Sequence, residues 1–268
     1  MTRVAGRSLS SGSGAVQRKR SHALFRWIAG GAAVVLAGAA AWVLAQPERW
    51  DGWRTFWVGP DRERFPVHGI DVSHHQGPID WARVKASGQA FAFIKATEGA
   101  DFRDTRFGDN WRRARAEGLI TGAYHYFTFC SPGVAQAENF LAVAPRERPV
   151  LPLAVDVEFT GNCVGWESVA QIRDELLAFM EHVRAHVGAA PLLYTTEEVR
   201  LELVPPELRE HSYWVRSLWG EPSATIDWHF WQYSDTGSVP GIRGEVDLNV
   251  FSGAPGVWQS LLDAARAP

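Results

Sequence analysis

Several signatures that would each name a chemistry are missing from this sequence. No glycine-rich phosphate loop follows any of its apolar runs, which argues against a nucleotide-binding doubly wound sheet and a nucleotide cofactor. Ser73 and Ser217 lack the setting of a nucleophile elbow, so a serine hydrolase fits poorly. No low-complexity tract is long enough to suggest a disordered chain. Acidic residues are absent from positions 1–26, which carry Arg3, Arg7, Arg18, Lys19, Arg20 and Arg26. Setting those six positive charges aside leaves 21 Lys and Arg against 30 Asp and Glu, a balance of −9. A body that acidic is no partner for nucleic acid, whose binding depends on neutralising phosphates. Cysteine is scarce as well, with only Cys130 and Cys163.

Behind the basic leader (1–26), Trp27 to Ala45 runs without a charge and is rich in Ala, Val and Leu. That is about the length needed to cross a bilayer core of roughly 30 Å. The leader would stay cytoplasmic, and Trp27, Trp42, Trp50 and Trp53 lie near the two ends as interfacial aromatics do. Residues 27–45 therefore read as an inner-membrane anchor with the rest of the chain on the periplasmic side. Ala39-Ala40-Ala41 keeps a second reading open, a cleaved signal that would leave the protein secreted. Both readings export the domain, and in an oxidising compartment Cys130 and Cys163 can form a disulfide; two buried thiols are the alternative. Residues 46–65 read as a linker or short surface helix, and 66–268 as one monomeric domain.

From residue 67 a regular alternation begins. Short apolar runs predict strands at Val67–Val72, Ala90–Ala96, Ile120–Phe127, Leu151–Val157, Pro191–Thr195, Ser212–Val215, His229–Gln232 and Glu245–Asn249. Period-3.6 patterns predict helices at Ile79–Ser87, Phe107–Glu117, Pro132–Val143 and Trp166–Val187, bounded by Gly and Pro. The last three strands have only short connections. Strand–helix alternation with near-continuous apolar strands indicates a parallel sheet covered by helices, and eight strands would close an α/β barrel.

Polar residues recur where these strands end: Asp71, Glu98, Tyr124 to Tyr126, Asp156 with Glu158, Tyr194, Trp231 to Tyr233, and Asp247 with Asn249. In a fold whose strand ends converge, carboxylates at four of them point to a site rather than to four helix caps. Asp156-Val157-Glu158 is the sharpest of these signals. Residues i and i+2 on a strand share a side, so the two acids lie close together. Like-charge proximity and burial raise the pKa of one member. It can then donate a proton to a glycosidic oxygen while an ionised neighbour stabilises positive charge. Asp71, His74, His75, His125 and Asp156 could instead hold zinc for a deacetylase-like hydrolysis, but these histidines follow no compact ligand spacing.

Six runs in order resemble glycoside hydrolase family 25, the Chalaropsis-type lysozymes. They are Gly69-Ile70-Asp71-Val72-Ser73-His74-His75-Gln76-Gly77, Phe93-Ile94-Lys95-Ala96-Thr97-Glu98-Gly99, Gly122-Ala123-Tyr124-His125-Tyr126-Phe127, Asp156-Val157-Glu158, Phe230-Trp231-Gln232-Tyr233 and Val246-Asp247-Leu248-Asn249. The resemblance implies an irregular TIM-like (β/α)5(β)3 barrel that binds peptidoglycan glycan strands. It implies cleavage of the β-1,4 bond between N-acetylmuramic acid and N-acetylglucosamine, with no metal or organic cofactor. It implies Glu158 as general acid, Asp156 assisting the substrate's own N-acetyl group, and Asp71 and Asp247 as the other acidic positions. Glu98, Tyr124, Tyr126, Tyr194, Trp231 and Gln232 are the sugar contacts it carries over. The rival from another class is a catalytically silent wall-binding module, against which the intact set of four acids weighs.

Overall fold

The computed structural model describes residues 59–145, 151–163, 168–253 and 255–266. The basic leader and the apolar segment 27–45 lie outside the described residues. Among those described, no helix is long and apolar enough to cross a membrane.

The strands are β1 (His68–Val72), β2 (Gln89–Glu98), β3 (Phe102–Arg103), β4 (Ile120–Tyr126), β5 (Ala154–Asp156), β6 (Leu192–Thr196), β7 (Tyr213–Arg216), β8 (Trp228–Gly237) and β9 (Val246–Phe251). Eight of them close a barrel in the ring order β1-β2-β4-β5-β6-β7-β8-β9, because β1 pairs with both β2 and β9. Strand β3 is a stub folded back on the end of β2. The helices are α1 (Trp81–Ala86), α2 (Phe107–Ala116), α3 (Gly133–Val143), α4 (Val169–Val187), α5 (Glu197–Glu202) and α6 (Pro255–Arg266). The eight strands read from the apolar runs are all present, and so are the four helices.

The differences have local causes. Helix α4 starts at Val169 because Ser168 caps it, its side chain accepting from Gln171 N in a capping box, and the expected start at Trp166 lies outside the described residues. Helix α5 supplies the fifth strand–helix unit but has six residues, too few to show a period. Strand β9 runs antiparallel to both neighbours, because the eight-residue β8–β9 connection (238–245) holds no helix to carry the chain back. Asp247 therefore lies near the start of its strand and Asn249 in its middle, not at the end as the apolar pattern suggested. The reversal still brings Asp247 to the mouth, where the parallel strands finish.

The wall separates two apolar layers. Outward residues such as Ile70, Ile94, Ala123, Val155 and Leu193 meet the helices at Val84, Phe140, Leu176 and Phe179. Inward residues Phe91, Phe93, Tyr124, Tyr194, Trp214, Phe230 and Phe251 fill the barrel, and Trp258 of α6 closes its floor against Phe91 and Phe251. Gly69 and Gly122 make room for this packing: a Cβ on either would stand 2.4–2.5 Å from the Phe91 or Phe93 ring. Truncating one of these buried phenylalanines to alanine would cost about 3–5 kcal/mol.

The described part of the expected linker, residues 59–65, packs against the barrel. Phe65 is buried beside Trp228 and Trp231, covering β8 where no helix of the described residues does. Arg64 grips both carboxylate oxygens of Glu221 at 2.6 and 2.7 Å.

Candidate active site

Strand alternation decides which side chains reach the mouth. On β2, Phe91 and Phe93 point inward, and Lys95 follows in the same phase; on β5, Ala154 and Asp156 do so. Glu158 comes two residues after Asp156. Between Lys95 and Thr97 a bulge shifts the β2–β4 register. Lys95, itself buried, then reaches Glu98 at 2.6 Å and lies 4.7 Å above the Tyr126 ring.

Two acidic pairs face each other across this space. Asp71 and Asp247 are direct cross-strand partners in β1–β9. Oδ2 of Asp71 accepts from Asn249 Nδ2 at 2.7 Å and from Gln232 Nε2 at 2.9 Å. Gln232 Oε1 in turn accepts from the Tyr194 hydroxyl at 3.0 Å, and Asn249 Oδ1 from Trp214 Nε1 at 2.7 Å. With its acceptor oxygen so well supplied, Asp71 is the ionised member, although burial raises its pKa. Asp247 keeps the proton: burial first, then the Asp71 charge, push its pKa up to about 10.

The second pair is Asp156 and Glu158. Burial, then the Glu158 charge, lift Asp156 well above the carboxylate range, with Lys95 pulling the other way. Burial also raises Glu158, opposed first by Arg216. Arg216 ends β7 in the same phase as Trp214 and is held by Asp235 at 2.6 Å. Oδ1 of Asp156 is buried and has no hydrogen-bond partner. Such an orphan carries a desolvation penalty of about 1–3 kcal/mol, which a donor entering the cleft would remove.

The sequence-predicted residues mostly converge. Asp71, Asp156, Glu158, Asp247, Glu98, Tyr124, Tyr126, Tyr194 and Gln232 all belong to the mouth or to the inner wall beneath it. Trp231 does not. Its neighbours Phe230 and Gln232 point inward, so Trp231 points out, packs on Phe65 and donates to the Ser217 carbonyl at 2.8 Å. Lys95, Arg216 and Asp235 are charged groups of the site that the sequence reading passed over.

The zinc reading is not supported by its histidines, which are engaged away from Asp71 and Asp156. His125 lies outside the barrel wall against Phe179, with Thr97 Oγ1 at 2.7 Å and Gln136 Oε1 at 3.1 Å on its two ring nitrogens. Burial drives its pKa down to about 3, so it is neutral there. His74 Nδ1 is engaged by Asp104 at 2.9 Å. A His-x-x-x-His spacing does occur, His182 and His186, but on the outer surface of α4. Among the described residues no three His, Cys, Asp or Glu side chains are grouped to hold a metal.

The loops carrying these groups are tied together. Cys130 and Cys163 form a disulfide linking the β4–α3 and β5–α4 loops. Beside it, Asn162 Nδ2 donates to the carbonyls of Glu158 and Phe127, both at 2.9 Å, and its Oδ1 accepts from Phe129 N at 2.8 Å.

Comparison with known proteins gives a consistent result. The family model described as Glycosyl hydrolases family 25 matches residues 70–242. Lysozyme M1 of Streptomyces globisporus is 37% identical over 212 residues, covering 74% of this chain and 71% of that protein. A family 25 glycosyl hydrolase from Bacillus anthracis is 34% identical with a TM-score of 0.69, over 75% of this chain and 95% of that one. A bacterial lysozyme from Streptomyces coelicolor is 35% identical with a TM-score of 0.66, over 74% of this chain and 96% of that one.

Proposed function

Since the chain belongs to glycosyl hydrolases family 25 and is a glycoside hydrolase of the muramidase type, we propose that Glu158 and Asp156 divide the chemistry between them. Glu158 is the general acid and Asp156 the partner of the substrate's N-acetyl group. The bond cut is the β-1,4 link from N-acetylmuramic acid to N-acetylglucosamine in peptidoglycan.

The observation that carries this reading is the orphaned Oδ1 of Asp156 beside a proton-sharing Glu158. In the empty cleft the pair holds its last proton jointly, with the deeper Asp156 favoured. An acetamido N–H entering the cleft donates to Oδ1 and favours the ionised form of Asp156. The proton then moves to Glu158, where it is needed. Glu158 gives it to the departing glycosidic oxygen while the acetamido oxygen, polarised through its N–H by Asp156, attacks the anomeric carbon. That bond forms as the glycosidic bond breaks. Water then opens the cyclic intermediate, returning the proton to Glu158. Asp71, ionised and fixed by Gln232 and Asn249, adds negative potential where positive charge develops on the sugar.

Residues 1–45 add a place to the activity: an exported domain, held at the membrane by 27–45 or released after cleavage. The Cys130–Cys163 bond supports an oxidising compartment.

The test is mass spectrometry of purified peptidoglycan digested by the wild type and by Glu158→Gln. Muropeptides ending in reducing N-acetylmuramic acid are expected from the wild type, and at least about a hundredfold less from the variant. Comparable digestion by Glu158→Gln would remove Glu158 as the acid. Intact sacculi from both proteins would favour the silent binding module.

A further inference from the structure

The exported body carries more acids than bases, yet one cavity on its flank is bordered mainly by cations. It measures about 450 Å³ and lies between α1, α2 and the β8–β9 loop. Arg83 of α1, Arg113 of α2 and Arg243 of the loop line it, with Asp80 beside them. Among the described residues no salt bridge holds Arg83 or Arg243, and Arg113 reaches Asp109 only at 3.5 Å. Oδ1 of Asp80 accepts from Arg83 N at 3.2 Å, and its other oxygen has no donor among the described residues.

The three cations share this cavity because the loop is pressed onto α1. Asp80 N donates to the Gly241 carbonyl at 2.9 Å. Gly241 has φ +104, and a Cβ on it would stand 2.4 Å from the Asp80 carbonyl oxygen, so only glycine allows the approach. Ile242 N closes the turn on the Val239 carbonyl at 3.1 Å, and Arg243 follows directly. Grouping like charges weakens a fold unless an anion enters between them. The packing of the loop therefore gives no reason for its arginine.

Arg243 lies four residues before Asp247, a stretch the chain cannot extend beyond about 14 Å. The cavity is thus just outside the mouth, on the Asp71–Asp247 side. Sugar rings carry no charge and have nothing to offer three guanidinium groups. In peptidoglycan, however, N-acetylmuramic acid bears a short peptide with free carboxylates and, where a diamino acid is not cross-linked, a free amine. We propose that this cavity holds the peptide stem of the substrate, its carboxylates on Arg83, Arg113 and Arg243 and its amine or N–H groups on Asp80. Guanidinium groups pair with carboxylates through charge-assisted hydrogen bonds. The acids of the mouth turn the same carboxylates away, toward the flank. A stem of four residues spans about 14 Å when extended, enough to reach the cavity from a sugar at the mouth. A phosphodiester polymer would suit the arginines too, but it would set a like charge against Asp80. The inference rests on the muramidase reading above and adds that stem-bearing glycan is preferred over bare glycan.

The experiment compares the full chain with its Arg83→Gln, Arg243→Gln double variant on two substrates. One is peptidoglycan with its stems intact and its phosphate polymers removed; the other is the same glycan after an amidase has stripped the stems. Thermal melting checks that the variant folds. On stem-bearing glycan the double variant is expected to raise KM about three- to tenfold, with kcat close to wild type. On stripped glycan the two proteins should agree. A free stem tetrapeptide containing a diamino acid should bind the wild type, and bind the variant more weakly, in an NMR titration. Equal KM on stem-bearing glycan would overturn the proposal, as would an equal loss on both substrates. A loss seen only when phosphate polymers are retained would assign the cavity to phosphate and overturn it as well. If the wild type cuts neither substrate, the muramidase reading falls, and the peptide titration still decides the cavity.

Discussion

Asp71 and Asp247 stand opposite each other in the antiparallel β1–β9 pair, and burial together with the Asp71 charge holds a proton on Asp247. The arrangement makes stability depend on pH in a definite direction. The folded-state pKa of Asp247 is raised from 3.8 to about 10, so the folded protein holds a proton that the unfolded chain has released over that window. Its contribution is present in full below the unfolded value and is lost as pH rises toward about 10. Asp247→Asn keeps a donor to Asp71 without a titrating proton. Urea unfolding at about pH 5 and about pH 9 should show stability falling less steeply in the variant than in the wild type. Equal slopes would mean that the pair does not share a proton.

Asp156→Asn separates the assisting role from the acid. The amide can still meet an acetamide but brings no negative charge to polarise it. Activity on glycan is expected to fall about a hundredfold or more in kcat, with KM close to wild type. A variant that turned over normally would leave Asp156 without the role proposed for it.

Arg216 favours the ionised form of Glu158, so removing it should raise the pKa of the acid further. Asp235, then unpaired, acts in the same direction. In Arg216→Met the alkaline limb of the kcat/KM profile is expected at higher pH than in wild type. A shift to lower pH would show that Glu158 is not the group titrating on that limb.

The Cys130–Cys163 bond closes a loop with a sequence separation of 33. Chain-entropy reasoning assigns such a closure about 3–4 kcal/mol. The double replacement by alanine should lower unfolding stability by roughly that amount and lower kcat as well, since the bond fastens the loop that follows Glu158. Thiol titration of the purified protein should find no free cysteine. Two titratable thiols would mean that the bridge does not form.

What the sequence could and could not disclose follows from how far each local rule reaches. The i, i+2 rule was enough to pair Asp156 with Glu158, because a strand's alternation is local and the acids follow one another. The same rule, applied along Phe91-Phe93-Lys95 and Trp214-Arg216, would have found the two cations that bias that pair. Trp231 shows the converse: it belongs to a family motif, yet alternation sends it outward once Phe230 and Gln232 point in. The direction of β9 and the sharing of a proton between Asp71 and Asp247 depend on residues some 176 positions apart meeting across the closing seam. No local pattern reports that. Helix α5 escaped because six residues make less than two turns.

The packing of residues 59–65 sets where this hydrolase can be shortened. Among the described residues no helix covers strands β7 to β9 from outside, and Phe65 does for Trp228 and Trp231 what a helix does elsewhere on the wall. Trimming at residue 66, where the apolar strand pattern begins, would hand those indoles to water and release the Glu221 loop that carries Trp219. The deletion would thus be felt in the loop that follows Arg216 as well as in the melting temperature. The smallest autonomous enzyme is longer at its front than the repeat of strands and helices from which its shape is read.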